Sequence, residues 1–225
     1  MRARSPERLL AAASLALVLV VIAASAAIRL SSQDLGGWLP AVRGTHRVSA
    51  SLATLLILAA AFFAWRAGRK PLAAALVALT AGLSVLGAAT GIAPPPWAQA
   101  GNLLGGLLLA ALLAWLLGGD EQRPHPVWLF IVVQASLGAW IAIFAEDLWT
   151  PVMLMHALLG VSLAAGAAWL AVRKGMLVLL LLAIAVLASG TASSLFGLPL
   201  GATLAHGVSV ALLICAAAYA HARLA

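Results

Sequence analysis

Apolar stretches of about twenty residues alternate with short polar breaks along the whole chain. Eight such stretches are readable, at residues 9–28, 47–65, 72–93, 97–117, 127–145, 151–172, 176–196 and 200–219. A helix needs about 20 mostly apolar residues to cross the hydrocarbon core of a bilayer, so each stretch is predicted to be a transmembrane helix. The breaks are rich in Pro and Gly, as in Pro94-Pro-Pro96, Gly118-Gly-Asp-Glu-Gln-Arg-Pro124 and Arg173-Lys-Gly175, where a helix is expected to stop. The first stretch follows Arg2, Arg4 and Arg8, as a signal peptide would. Its apolar run is long for that role, and it is read as a retained first helix.

Composition closes off the alternatives. Of 225 residues, 64% are apolar and 8% charged, with a mean hydropathy of +1.11. Soluble domains average about 45–50% apolar and about 25% charged, so the polar surface needed to coat a water-soluble globule is missing. The net charge of +7 is not gathered into a basic domain, and no nucleic-acid partner is expected; the expected surroundings are membrane lipid. Cys215 is the only cysteine, which excludes an intrachain disulfide. Its expected role is a small core residue. The charges instead report orientation. With the N-terminus inside, ten of the thirteen Lys and Arg fall in inner segments, and only Arg29, Arg43 and Arg47 lie outside. The positive-inside rule therefore places both termini inside, as eight spans require.

Polar residues within the spans are few and patterned. His46, His156 and His206 lie at the outer ends of the second, sixth and eighth spans, and Asn102 holds the matching place in the fourth. His46 and His156 are 110 residues apart, and Asn102 and His206 are 104 apart. The period predicts two tandem four-helix bundles, residues 1–120 and 121–225, one repeating the other. Gly91-Ile-Ala-Pro-Pro-Pro-Trp-Ala-Gln-Ala-Gly-Asn102 answers Leu195-Phe-Gly-Leu-Pro-Leu-Gly-Ala-Thr-Leu-Ala-His206. Leu137-Gly138 echoes Leu86-Gly87 but falls out of phase and does not count toward the repeat. Ionisable groups in a bilayer are expensive and mark candidate sites. Imidazole is a neutral ligand for iron, copper and zinc, and no Cys or carboxylate shares the depth of these histidines. Glu146 and Asp147 belong to an outer loop. Two histidines on facing helices rich in Ala and Gly suit the two axial positions of a haem, with His156 and His206 as the intact pair. A single histidine of this kind is as readily a hydrogen-bonding core residue.

Arg29, Arg43 and Arg47 are the basic residues of the outer side. Guanidinium forks match carboxylates, which makes them candidate partners for haem propionates in the first half. The plain alternative is that they snorkel or pair with Asp34. His125 and His221 sit at inner ends as interfacial residues. Most of the eight tryptophans are expected to form aromatic belts. The Gly105-Gly106 and Gly87/Gly91 pairs are expected at close helix contacts. A proton-relay transporter would show broken helices or charges near the midplane; here the polar positions cluster at the outer rim.

With these residues in place, the chain resembles the heme A synthase family over nearly its whole length. Ile28-Arg-Leu-Ser31 is similar to that family's Arg-Leu-Thr, His46-Arg47 to its His-Arg, and Leu86-Gly-Ala-Ala-Thr90 to its Leu-Gly-x-x-Thr; Pro199 to His206 resembles the approach to its last ligand. The resemblance implies a haem b held by His156 and His206 in the second half. It also implies a substrate haem on His46 in the first, with haem O oxidised to haem A during cytochrome oxidase assembly. Haem O synthase and respiratory oxidase subunits are then the expected partners, and a bacterial inner membrane the location, with the haem sites near its outer face. Two positions depart from the family. Asn102 stands where a second histidine is expected, and Arg43 stands where the family has glutamate. Asparagine is a poor iron ligand and arginine cannot serve as a base. The loop cysteine pair of some members is absent. A non-catalytic b-type cytochrome, or a subunit or assembly factor of a respiratory complex, is the competing expectation.

Overall fold

The computed structural model describes residues 5–31, 36–91, 94–119, 127–144, 151–196 and 200–224. Asp34, His125, Glu146, Asp147, Trp149 and Pro199 lie outside the described residues, as do Arg2, Arg4 and Arg123. Among the described residues the regular structure is entirely helical: α1 Pro6–Ser31, α2 Leu39–Arg66, α3 Lys70–Thr90, α4 Pro96–Gly118, α5 Val127–Phe144, α6 Pro151–Lys174, α7 Leu177–Leu195 and α8 Leu200–Leu224, with one 3-10 turn at Gly36–Trp38. All of these helices except α5 are long and apolar enough to cross a membrane. The chain is an all-α integral membrane protein. α5 has 18 residues, about 27 Å at about 1.5 Å per residue, a little under the hydrocarbon thickness of about 30 Å.

The helix ends have local causes. α2 starts eight residues before its apolar stretch, with Pro40 in its first turn, where the missing N–H leaves nothing unpaired. His46 therefore lies two turns inside α2 rather than at its edge. α3 stops at Gly91, whose φ of +63 only glycine adopts freely.

The chain divides into two compact units. The first comprises residues 1–85, 105–122 and 218–225. In it α1 packs along α2. α2 buries Ser49, Ala53, Ile57, Ala60, Ala61 and Ala64, a stripe at spacings of three and four. Its opposite face exposes Leu52, Leu55, Leu58 and Phe62. Small residues face the neighbouring helix and large ones face outward, as expected where lipid is as apolar as the protein and packing drives association. Gly105 and Gly106 belong to this pattern. A Cβ at Gly105 would come 2.6 Å from Leu83 Cδ2, and one at Gly106 would meet Ile22 at 3.4 Å. Gly87 and Gly91 do not share it: among the described residues nothing lies within 4 Å of a Cβ at either. Gly91 closes α3 instead. At the end of α4, Arg69 donates from Nη1 to the Leu116 carbonyl (3.3 Å) and from Nη2 to the Gly119 carbonyl. A cation at a helix C-terminus faces the negative end of its dipole. His221 meets Trp115 edge to face, with ring centroids 5.1 Å apart.

The second unit comprises residues 86–104 and 123–217. In it α6 packs against both α5 and α7, and Gly101 of α4 abuts Leu86 of α3. Cys215 is buried, in keeping with a core role.

Candidate functional site

Each even-numbered helix carries a polar position at a similar distance from its own start. His46 is the eighth residue of α2, Asn102 the seventh of α4, His156 the sixth of α6 and His206 the seventh of α8. All four lie about 8–11 Å along the axis from the helix start, and all are half-buried.

His156 and His206 come together within the second unit. Their ring centroids are 6.4 Å apart and their planes are nearly perpendicular, at 82°. Each ring lies on a glycine of the preceding helix. A Cβ at Gly138 of α5 would stand 2.9 Å from His156 Cε1, and one at Gly190 of α7 would stand 3.0 Å from His206 Cε1 and 3.1 Å from its Nδ1. Any larger residue would push the ring away. The glycines are thus the floor on which the imidazoles rest. Gly138, set aside in the sequence as an out-of-phase echo, turns out to seat a histidine.

Each ring also faces a main-chain carbonyl of the preceding helix. His206 Nδ1 lies 3.1 Å from the carbonyl of Val186 on α7. A nitrogen facing a carbonyl must carry the proton, so Nδ1–H donates and Nε2 keeps its lone pair for a metal. The His156 ring faces the main-chain carbonyl of Gln134 on α5 in the same way, but its Nδ1 falls outside strict hydrogen-bond geometry. Gln134 of α5 donates from Nε2 to the His156 backbone carbonyl at 3.0 Å, while its Oε1 is buried without a partner. Gly160 makes room for that amide: a Cβ there would be 2.7 Å from Gln134 Nε2. One turn of α7 beyond the His206 seat, Ser193 Oγ lies 3.5 Å from Thr203 Oγ1.

This donor set fits a haem. Two imidazoles bound on opposite sides of one iron through metal–nitrogen bonds of about 2.0–2.1 Å have centroids about 6.3 Å apart, close to the separation found. Both would offer neutral nitrogens, and each ring has a glycine of the preceding helix beneath it. No group of three or more His, Cys, Asp or Glu that could hold a bare metal ion occurs among the described residues.

The remaining candidates fall in both units. Arg29, Arg43, His46 and Arg47 belong to the first unit and Asn102 to the second. Arg29 donates from Nη1 to Ser25 Oγ, one turn back on α1, at 3.2 Å. Arg43, His46 and Arg47 share one face of α2 by their spacings of three and four. Sequence reading missed Gln134, Gly190 and the Val186 carbonyl. The available signal was a glycine six residues before the end of α5 and five before the end of α7, the helices that precede those of His156 and His206. Compared with known proteins, the chain matches no family model and no curated sequence.

Proposed function

We propose that this chain is a haem-binding integral membrane protein in which His156 and His206 are the axial ligands of a b-type haem. The observation that carries the reading is the pair of imidazoles 6.4 Å apart, each on a glycine floor. When bound, such a haem supplies one-electron redox chemistry. The protein's part is to hold both rings, to fix the His206 tautomer through Val186, and to keep the site in an apolar surrounding.

The finer reading is a heme A synthase type of enzyme. It has eight spans in two tandem halves, both termini inside, and a haem O substrate on His46 with Arg29, Arg43 and Arg47 toward its propionates. The host is a bacterial inner membrane, and haem O synthase or oxidase subunits are the partners. Asn102 and Arg43 favour a second reading, a non-catalytic b-type cytochrome or respiratory-complex subunit, because they remove a ligand and a carboxylate from the first half.

The test is a reduced-minus-oxidised spectrum of purified protein, with the bound haem extracted and identified. A six-coordinate haem b signature that disappears in both His156→Ala and His206→Ala is expected. Its survival in either variant would remove that residue as a ligand. Haem O or haem A in the extract selects the synthase reading, and haem b alone selects the cytochrome.

A further inference from the structure

The turn between α2 and α3 presents two cations and two aromatic rings at one end of the first unit. Its backbone is closed by its own bonds. The Ala67 N–H donates to the Phe63 carbonyl, Gly68 to Trp65 and Arg69 to Ala64, at distances between 2.9 and 3.1 Å. Gly68 takes a φ of +90, which only glycine adopts freely. Arg69 is spent on the carbonyls at the end of α4, which ties the turn to a third helix. Arg66 and Lys70 are left exposed. Each lies over a ring, Arg66 over Phe62 and Lys70 over Trp65, both 5.9 Å from the ring centroid. That is within the reach of about 6 Å for cation–π attraction. The second pair spans the turn, from the first residue of α3 to the last turn of α2. Phe62 and Trp65 are themselves 56% and 51% exposed. No acidic residue stands between Phe62 and the first turn of α3 to neutralise the two cations.

We propose that the α2–α3 turn binds the headgroup of an anionic phospholipid, with Arg66 and Lys70 on its phosphate and Phe62 and Trp65 against the upper part of its acyl chains. This goes beyond the haem reading and does not depend on it. α2 and α3 are both long and apolar enough to cross a membrane, so the turn that joins them sits at a membrane surface. A guanidinium offers a phosphate a fork of donors and an ammonium offers it a point charge. A free phosphate would need those charges alone; the exposed rings beside them fit a ligand that also has an apolar part. The skew of Lys and Arg gives this turn to the cytoplasmic leaflet, where anionic lipids collect. The α6–α7 turn is less complete. There, among the described residues, a single cation lies over a ring, Arg173 over Trp169 at 5.3 Å.

The experiment is native mass spectrometry of the purified full-length protein in detergent, titrated with phosphatidylglycerol or with phosphatidylcholine. The wild type should retain phosphatidylglycerol in preference. Arg66→Gln with Lys70→Gln should weaken its first binding step by about tenfold, and Arg66→Lys with Lys70→Arg should keep it. Phe62→Leu with Trp65→Leu leaves both charges and the apolar character in place, and should still weaken binding because the cations lose their rings. Arg173→Gln with Lys174→Gln removes the same charge elsewhere and should have the smaller effect. Equal retention of the two lipids by the wild type would overturn the proposal, as would equal losses in the two charge-removing variants. Unchanged binding in the leucine variant would also overturn it, reducing the turn to a plain positive charge. Release of phosphatidylglycerol by excess inorganic phosphate at constant ionic strength would make the ligand a free phosphate and overturn the lipid assignment.

Discussion

Glycine at 138 and 190 is a requirement of shape, not of backbone freedom. Both lie within helices, and a methyl at either would come closer to an imidazole carbon than carbons normally approach, 2.9 Å at His156 and 3.0 Å at His206. Gly138→Ala or Gly190→Ala should therefore displace a ligand ring and lower the haem bound per protein. Overpacking of this kind typically costs about 1–3 kcal/mol. Gly87→Ala is the control, since nothing among the described residues lies within 4 Å of a methyl there. It should leave haem content unchanged and gain up to about 1 kcal/mol of helix propensity. Haem-to-protein ratio by pyridine haemochrome reads all three, and equal ratios throughout would show that the glycine floors do not matter. The histidines were legible in the sequence because charge-bearing groups are rare in apolar stretches. Their seats were not, because a glycine among so many small residues carries no mark until its neighbour is known. Gln134 was overlooked for a related reason: a single amide in an apolar helix reads as tolerated, and its partner is a backbone atom on another helix.

Helix α2 shows why its inner and outer faces escape a hydropathy reading. Its buried stripe of Ala53, Ile57, Ala60 and Ala64 is less apolar than its exposed face of Leu52, Leu55 and Leu58. What differs is size. Apart from the start of α2, helix positions were readable to within about five residues, while their orientation was not; only the Gly105-Gly106 pair announced a close contact in advance. The start of α2 was misplaced because Arg43 and His46 interrupt the apolar run, although polar side chains do not interrupt a helix. Size segregation makes a directional prediction. Ala60→Leu, at a fully buried position, should destabilise by about 1–3 kcal/mol. Leu55→Ala, at a position 65% exposed, should stay within about 0.5 kcal/mol. Unfolding in mixed micelles with increasing denaturing detergent measures both; a larger loss in the leucine-to-alanine variant would reverse the assignment of faces.

At the scale of the whole molecule, the parity of spans decides where the C-terminus lies. α5 is the shortest helix, and its role is the deciding one. If α5 crosses the bilayer, the termini share a side, and the skew of Lys and Arg puts that side in the cytoplasm. If it does not, they lie on opposite sides. A reporter active only in the cytoplasm, fused after Ala225, is expected to be active, and an inactive fusion with normal expression would mean that α5 lies in or beneath the membrane rather than across it. The hydrogen bond between His206 and Val186 carries a consequence for how the protein is made. It ties α8 to α7 through protein atoms alone, so the His206 ring has its tautomer and its place with nothing bound. On the other side the His156 ring of α6 faces the main-chain carbonyl of Gln134 on α5, one turn before its own glycine. A newly inserted chain would thus pair α7 with α8 through a ring and a carbonyl, a contact that needs no ligand to form.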